Sequence, residues 1–387
     1  MEEMILKFKD IFKYGDENLD KFFSPGRVNL IGEHTDYNGG NVFPCAINFG
    51  TYAIASKRED NKVRVFSLNF EEEGVKEFTL DNLKNIKEDN WANYVKAVVY
   101  SFKKDGFKIE KGFDLVVYGD IPNGAGLSSS ASLELLISEI LKVYNNLDID
   151  TIDMVKLSQK AENEFIGVNC GIMDQFAIGM GKKDKAIFLD TNSLKYEFVP
   201  IDLKGIKIVI ANTNKRRGLM DSKYNERRSE CEEALKDIKE HKNINSLGEL
   251  TEENLDEALS YIKRDVCKLR ARHAVLENRR TIKAVELLNK SDISGFGKLM
   301  NDSHASLRDY YEVTGIELDT LVDLAQKTEG VIGSRMTGAG FGGCTISLVK
   351  EEKVDEFINK VKKGYREKIG YDADFYVAGV GDGTRKL

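Results

Sequence analysis

The sequence predicts an α+β fold in two packed lobes, and three observations carry that reading. The chain has 387 residues, more than one hydrophobic core normally supports. Short runs of β-branched and apolar residues crowd its first third, and it ends in a strand–helix–strand pattern. A cleft between two such lobes is the natural place for a site.

Residues 28–31, 46–56 and 63–67 read as strands, and 114–121 as another that Pro122 stops. Leu133, Leu136, Ile137, Ile140, Leu141 and Tyr144 then recur at helical spacing, which predicts an amphipathic helix over about 130–146. A second helix starts at Asp150 or Thr151, either a good N-cap, and runs to about Phe165. After the break at 167–171 a third begins near Ile172, which puts Asp174 in a first helical turn. Residues 207–212 read as a strand entering the second lobe, and 222–289 as mostly charged helix with short breaks. A strand at 345–349, a helix marked by Val354, Phe357, Ile358, Val361 and Tyr365, and a strand at 375–380 close the chain. Residues 1–203 and 204–387 are accordingly expected to form the two lobes.

Composition narrows the function. At 41% hydrophobic and 31% charged the chain is ordinary for a globular protein, and its longest apolar runs, such as 115–118, are far too short to span a membrane. The opening MEEMILKFKD has neither a basic n-region nor a small-residue cleavage site, so cytoplasmic residence is expected. The cysteines (Cys45, Cys170, Cys231, Cys267, Cys344) show no C-x-x-C pairing, and the four histidines are dispersed. A metal is therefore expected on oxygen ligands. A net charge of −7 disfavours a nucleic-acid partner, and an acidic chain that binds a nucleotide must supply positive potential locally. No obligate protein partner is indicated.

Three segments carry chemistry. The loop Pro122-Asn-Gly-Ala-Gly-Leu-Ser-Ser-Ser-Ala131 puts small residues where a strand hands over to a helix, so that backbone N–H groups can approach a phosphate. It lacks the Gly-Lys-Ser/Thr of a Walker A loop and the third glycine of a dinucleotide fingerprint. One of its hydroxyls suits Mg²⁺, which takes only one or two protein oxygens. The stretch Ser24–Gly39 packs Arg27, Glu33, His34 and Asp36 around one short apolar strand, a density of polar groups suited to reading the hydroxyls of a polyol. In Asn169-Cys-Gly-Ile-Met-Asp-Gln-Phe176, Asp174 sits where a helix dipole favours a carboxylate, although in isolation it reads more readily as a simple cap.

Together these segments resemble the GHMP kinase superfamily, and within it the galactokinases, over essentially the whole chain. Gly26-Arg-Val-Asn-Leu-Ile-Gly-Glu-His-Thr-Asp-Tyr-Asn-Gly39 looks like the galactokinase signature, whereas 122–131 and Thr337-Gly-Ala-Gly-Phe-Gly-Gly343 resemble motifs of the wider superfamily. The resemblance implies the two-lobed GHMP kinase fold, with an N-terminal lobe like ribosomal protein S5, a C-terminal ferredoxin-like lobe and the active site between them. It implies ATP-dependent phosphorylation of the C1 hydroxyl of α-D-galactose. By the same resemblance Asp174 is the base for the C1 hydroxyl, with Arg27 keeping it ionised and steadying the transferring phosphoryl group. Glu33, His34, Thr35, Asp36, Gly171 and Tyr224 would line the sugar pocket. Gly124, Ala125, Gly126, Leu127, Ser128, Ser129 and Ser130 would cradle the phosphates of ATP, with Ser67 and Trp91 near the nucleotide. Ser130 and Glu162 would hold Mg²⁺, and the turn 338–343 would close over the phosphate loop. Two alternatives stay open: a kinase for a related sugar such as N-acetylgalactosamine or arabinose, and a non-catalytic sensor of sugar and ATP, against which the intact Arg27, Ser130, Glu162 and Asp174 set weighs.

Overall fold

Strands buried on both faces build the first lobe. The computed structural model describes every residue except 16–18, 123–125, 202 and 216–219, and the side chains of residues 220 and 221. In the larger sheet six strands lie side by side in the order Arg385–Lys386, Asp20–Asn29, Pro44–Lys57, Phe113–Gly119, Lys62–Ser67, Lys76–Thr79. Neighbours run antiparallel except Lys62–Ser67 with Phe113–Gly119, which run parallel and need the crossover that carries helix Ala92–Lys104. Successive residues point to opposite faces. Ala53 and Leu115 meet the core formed with helices Ala92–Lys104, Ser129–Asn145 and Thr151–Ala161, while Ile54 and Val116 meet Met4, Phe8 and Phe12 of helix Glu2–Phe12. A smaller sheet, Asn41–Val42, Lys185–Asp190 and Tyr196–Pro200, flanks it.

The second lobe is an antiparallel sheet in the order Val331–Thr337, Cys344–Lys350, Ile206–Asn212, Asp374–Ala378. The first strand in sequence thus lies between the third and the fourth, the split β-α-β arrangement of a ferredoxin-like lobe. Helices Gly315–Gln326 and Val354–Ile369 cover one face through Leu321, Ala325, Phe357 and Val361. The other face, Ile208, Ile210, Ile346 and Leu348, shares a core with Val28, Leu30, Phe43 and Ile47 of the first lobe. The cleft therefore stands on an apolar floor common to both lobes.

The chain end departs from the expected division. Arg385 and Lys386 pair with Phe23 and Phe22, and Val380 bridges Ile47, so the tail returns to the first lobe's sheet rather than remaining in a lobe of 204–387. For the remaining residues we propose the lobe boundary at 203/204. Among the described residues no helix is long and apolar enough to cross a membrane.

Candidate active site

Strand Asp20–Asn29 delivers the first functional side chain. Its register with Pro44–Lys57 shifts between Pro25 and Arg27, an irregularity that re-aims the next side chain. Gly26 has to be glycine, because a Cβ there would lie 2.9 Å from the Leu127 carbonyl oxygen. That carbonyl also accepts from the Arg27 N–H at 3.2 Å, so strand and phosphate loop are stitched together. The Arg27 guanidinium then donates from Nε and Nη2 to the two Asp174 oxygens, each at 2.7 Å, and from Nη1 to the Gly126 carbonyl at 2.7 Å. Burial alone would weaken that charge, but Asp174 and, further off, Glu33 and Asp36 more than restore it. Asp174 sits in the first turn of helix Met173–Met180, as the sequence predicts, and also accepts from the Ser128 hydroxyl.

Two cavities meet at this pair. One, of about 410 Å³, is walled by Glu33, His34, Asp36, Gly171, Tyr224 and Glu162; the other, of about 490 Å³, by Ser67, Trp91 and the loop residues Gly126, Leu127, Ser128, Ser129 and Ser130. Arg27, Asp174 and Ala339 line both. The two cavities thus share a wall that carries the Asp174 carboxylate.

In the first cavity, the buried Glu33 takes the Gly338 N–H on Oε1 at 2.8 Å and stands 3.4 Å from the Arg335 guanidinium. Burial raises its carboxyl, a rise that Arg335 and Arg27 offset only in part. His34 meets the Tyr37 hydroxyl through Nδ1 at 2.8 Å, and its Nε2 is buried with no partner among the described residues. Burial, then the neighbouring His273, lower its pKa to about 3, so the ring is neutral and Nε2 is left for a ligand hydroxyl. Burial, and then the Asp174 charge, push Asp36 up to about 6 despite hydrogen bonds from the Tyr37 and Met173 backbone N–H groups. Gly171 leaves room for that carboxylate: a Cβ there would lie 1.7 Å from Asp36 Oδ2. The half-buried Tyr224 ring packs against His34 and Tyr37, with centroids 5.8 and 5.6 Å away.

Thr35 is a correction. Its side chain is buried away from the cavity, and its hydroxyl lies 2.9 Å from the Gly32 carbonyl and 2.7 Å from that of Asn41. It closes the turn that presents its neighbours, because a hydroxyl so short in reach bonds nearby backbone first.

On the nucleotide side, Ser128 takes a left-handed conformation (φ 65°, ψ 48°) immediately before helix Ser129–Asn145, so Ser129 and Ser130 open that helix toward the second cavity. Gly124 and Ala125 lie outside the described residues. Gly338, at φ 85°, approaches the loop so closely that a Cβ would be 3.1 Å from the Gly126 carbonyl oxygen. Glu162 opens a wide helical turn, Glu162–Ile166, at the end of helix Thr151–Ala161. Burial, then the Asp174 charge, push its carboxyl up to about 7, while hydrogen bonds from Cys170, Ser130 and Gln175 oppose the rise. The Glu162 carboxylate and the Ser130 hydroxyl beside it are hard oxygen donors next to the phosphate loop, a pair that fits a magnesium ion even though the Cys170 thiol lies nearby. Trp91 lines the second cavity with its indole N–H buried and unpartnered among the described residues.

Several residues around the site escape a sequence reading. Glu277 Oε1 takes the Gly32 and Glu33 N–H groups at 3.0 and 3.3 Å, and His273 Nε2 lies 3.1 Å from the Glu33 carbonyl. Burial would raise the Glu277 carboxyl, but Arg280 and Arg335 bring it down to about 2. These side chains reach the motif from a distant helix and strand, so no local spacing betrays them. Glu134 and Gln175 do carry a signal: Glu134 follows Ser130 by one helical turn and Gln175 follows Asp174.

A β-rich lobe clasping a ferredoxin-like lobe around a strand–loop–helix cradle defines a kinase of the GHMP class. Matches to the GHMP kinases N terminal domain over residues 93–182 and the GHMP kinases C terminal domain over 284–367 agree with it. A mevalonate kinase structure, 21% identical with a TM-score of 0.67 over 94% of this chain and 99% of its own, shares the fold. The galactokinase galactose-binding signature matches residues 7–57. A galactokinase from Clostridium acetobutylicum is 63% identical over 98% of this chain and 97% of its own length. One from Fusobacterium nucleatum is 60% identical over 100% of both. The crystal structure of Lactococcus lactis galactokinase complexed with galactose superposes with a TM-score of 0.97 at 52% identity, covering 100% of this chain and 99% of that one. The chain belongs to the galactokinase family.

Proposed function

We propose that the protein transfers the γ-phosphoryl group of ATP to the C1 hydroxyl of α-D-galactose, giving galactose 1-phosphate. The observation that carries the proposal is the Arg27–Asp174 pair at the one wall common to both cavities. In this reading the sugar occupies the cavity of Glu33, His34 and Asp36, whose acceptors differ in reach and so read hydroxyl stereochemistry. Asp174 accepts the C1 proton: two donors from Arg27 and one from Ser128 leave its carboxylate a free lone pair. Arg27 balances charge on the phosphoryl group as it moves, and the amides opening helix Ser129–Asn145 hold the phosphates of ATP. Tyr224 packs on the sugar face, and Gly171 admits Asp36 to it. Ser130 and Glu162 would hold Mg²⁺, which supplies neutralisation of the phosphate oxygens. Trp91 and Ser67 border the base and ribose side. A cytoplasmic location follows from the character of the substrates.

Incubating the purified protein with ATP, Mg²⁺ and a panel of hexoses, and following ADP release and the sugar phosphate by ³¹P NMR, tests the proposal. Galactose should give an anomeric phosphate, and glucose and mannose should give far less. ADP release no faster with galactose than without it refutes the catalytic reading; faster turnover of N-acetylgalactosamine or arabinose refutes the sugar assignment.

A further inference from the structure

Glu134 lies on helix Ser129–Asn145 one turn beyond Ser130, so the two side chains leave the same face. It is fully buried among apolar neighbours of that helix such as Leu133, Leu135 and Ile137. A carboxyl in such surroundings is costly unless it is hydrogen-bonded, and packing alone does not explain it. The one side-chain bond it has among the described residues comes from the Gln175 amide: Nε2 donates to Glu134 Oε2 at 3.1 Å and to Glu162 Oε2 at 2.8 Å. The far oxygens, Glu134 Oε1 and Gln175 Oε1, are both buried with no partner among the described residues.

An amide has a donor end and an acceptor end, and which one faces Glu162 matters. With an oxygen at position 134, the NH₂ group is drawn between the two carboxyls. Without it, no described residue bonds the oxygen end of Gln175, so the amide is free to turn that oxygen toward Glu162 and repel it. Glu162 stands on a wide turn, and among the described residues its carboxyl is otherwise bonded only by the weak donor Cys170 Sγ at 3.5 Å and by Ser130. Its direction therefore depends on Gln175.

We propose that Glu134 is a positioning residue for the metal carboxylate: acting through the Gln175 amide, it fixes the orientation in which Glu162 faces Ser130. The proposal rests on the reading of Ser130 and Glu162 as the Mg²⁺ ligands. Outer hydrogen bonds of this kind are worth roughly 10- to 100-fold in metal affinity.

The test is ADP binding by calorimetry, in Mg²⁺ and in EDTA, with galactose affinity measured beside it. In the parent, Mg²⁺ should tighten ADP binding. Glu134→Leu, which removes the acceptor at similar size, should lower that gain by about tenfold, leaving ADP affinity in EDTA and galactose affinity unchanged. Glu134→Gln, which keeps an oxygen for Gln175 Nε2 and adds an NH₂ for its unpaired oxygen, should retain the gain. If Glu134→Leu does not fold, Gln175→Met removes the same link and should lose the gain likewise. A full gain in the variant lacking the link, with loss in Glu162→Ala, overturns the proposal alone. A full gain in Glu162→Ala overturns the metal-ligand reading on which it rests.

Discussion

Replacing Asp174 by asparagine changes the carboxylate that, with Arg27 and Ala339, faces both cavities. The carboxylate accepts Arg27 Nε and Nη2 at 2.7 Å each, and the Ser128 hydroxyl as well. The asparagine oxygen keeps one Arg27 bond, but its NH₂ opposes the other donors. A lost hydrogen bond to a charged group is worth about 1.5–3 kcal/mol; with the Asp174 side chain 31% exposed, water recovers part of it, leaving roughly 1–2 kcal/mol of stability. Domains of this kind hold about 5–15 kcal/mol, so the variant stays folded at 25 °C. A positioned proton acceptor, by contrast, contributes on the order of 10²- to 10⁴-fold in rate, about 2.7–5.4 kcal/mol of barrier. The catalytic loss should therefore far exceed any loss of folded protein. The assay is coupled ADP release for kcat, with galactose affinity by calorimetry on the same preparation. We expect kcat to fall by about 10²- to 10⁴-fold while galactose affinity holds within about threefold. A kcat within about threefold of the parent would refute the role given to Asp174.

Glu33→Gln keeps the length of the side chain but removes the charge facing Arg335, so the KM for galactose should rise by about tenfold or more with little change for ATP; the reverse pattern would misplace the sugar cavity. Asp36 offers a pH test. Folding raises its carboxyl from 3.8 to about 6, so the folded chain holds the proton more tightly, and that contribution, complete below the unfolded value, is lost as pH rises through about 6. Asp36→Asn should hence gain roughly 2–3 kcal/mol relative to the parent at pH 8 and less than about 1 kcal/mol at pH 4, read as Tm differences; an equal gain at both pH values would contradict the ionisation argument. Trp91 is the only tryptophan and lines the nucleotide cavity, so its emission should respond to ADP and not to galactose alone, and silence toward ADP would move the base elsewhere.

Where a segment's own periodicity decides its structure, the sequence was enough. The leucines and isoleucines at 133–141 specify helix Ser129–Asn145 within a residue at each end, and the break before Ile172 sets Asp174 in the first turn of Met173–Met180. Strand Asp20–Asn29 begins well before the expected 28–31, because Phe22 is buried in the helix-covered core, Phe23 is buried against Tyr52, and Pro25 falls at a shift in register, where a missing N–H is tolerated. Helix Glu2–Phe12 hides behind alternating charges, although Met4, Phe8 and Phe12 mark one face at four-residue spacing. Thr35 misled for the opposite reason: adjacency in a motif does not set direction, and its hydroxyl bonds the Gly32 and Asn41 carbonyls of its own turn. The outer residues Glu277, His273 and Arg335 reach the motif only after the second lobe docks, so nothing local could have named them.

The central claim is that the C1 oxygen of galactose lies at Asp174, facing the terminal phosphate of the nucleotide. A crystal structure with galactose, Mg²⁺ and a non-hydrolysable ATP analogue tests it most directly. The sugar should lie among Glu33, His34 and Asp36, with its C1 oxygen about 2.6–3.2 Å from the Asp174 carboxylate and in line with the γ-phosphorus. A sugar presenting its C6 hydroxyl to Asp174, or a C1 oxygen turned away from the phosphate, would contradict it.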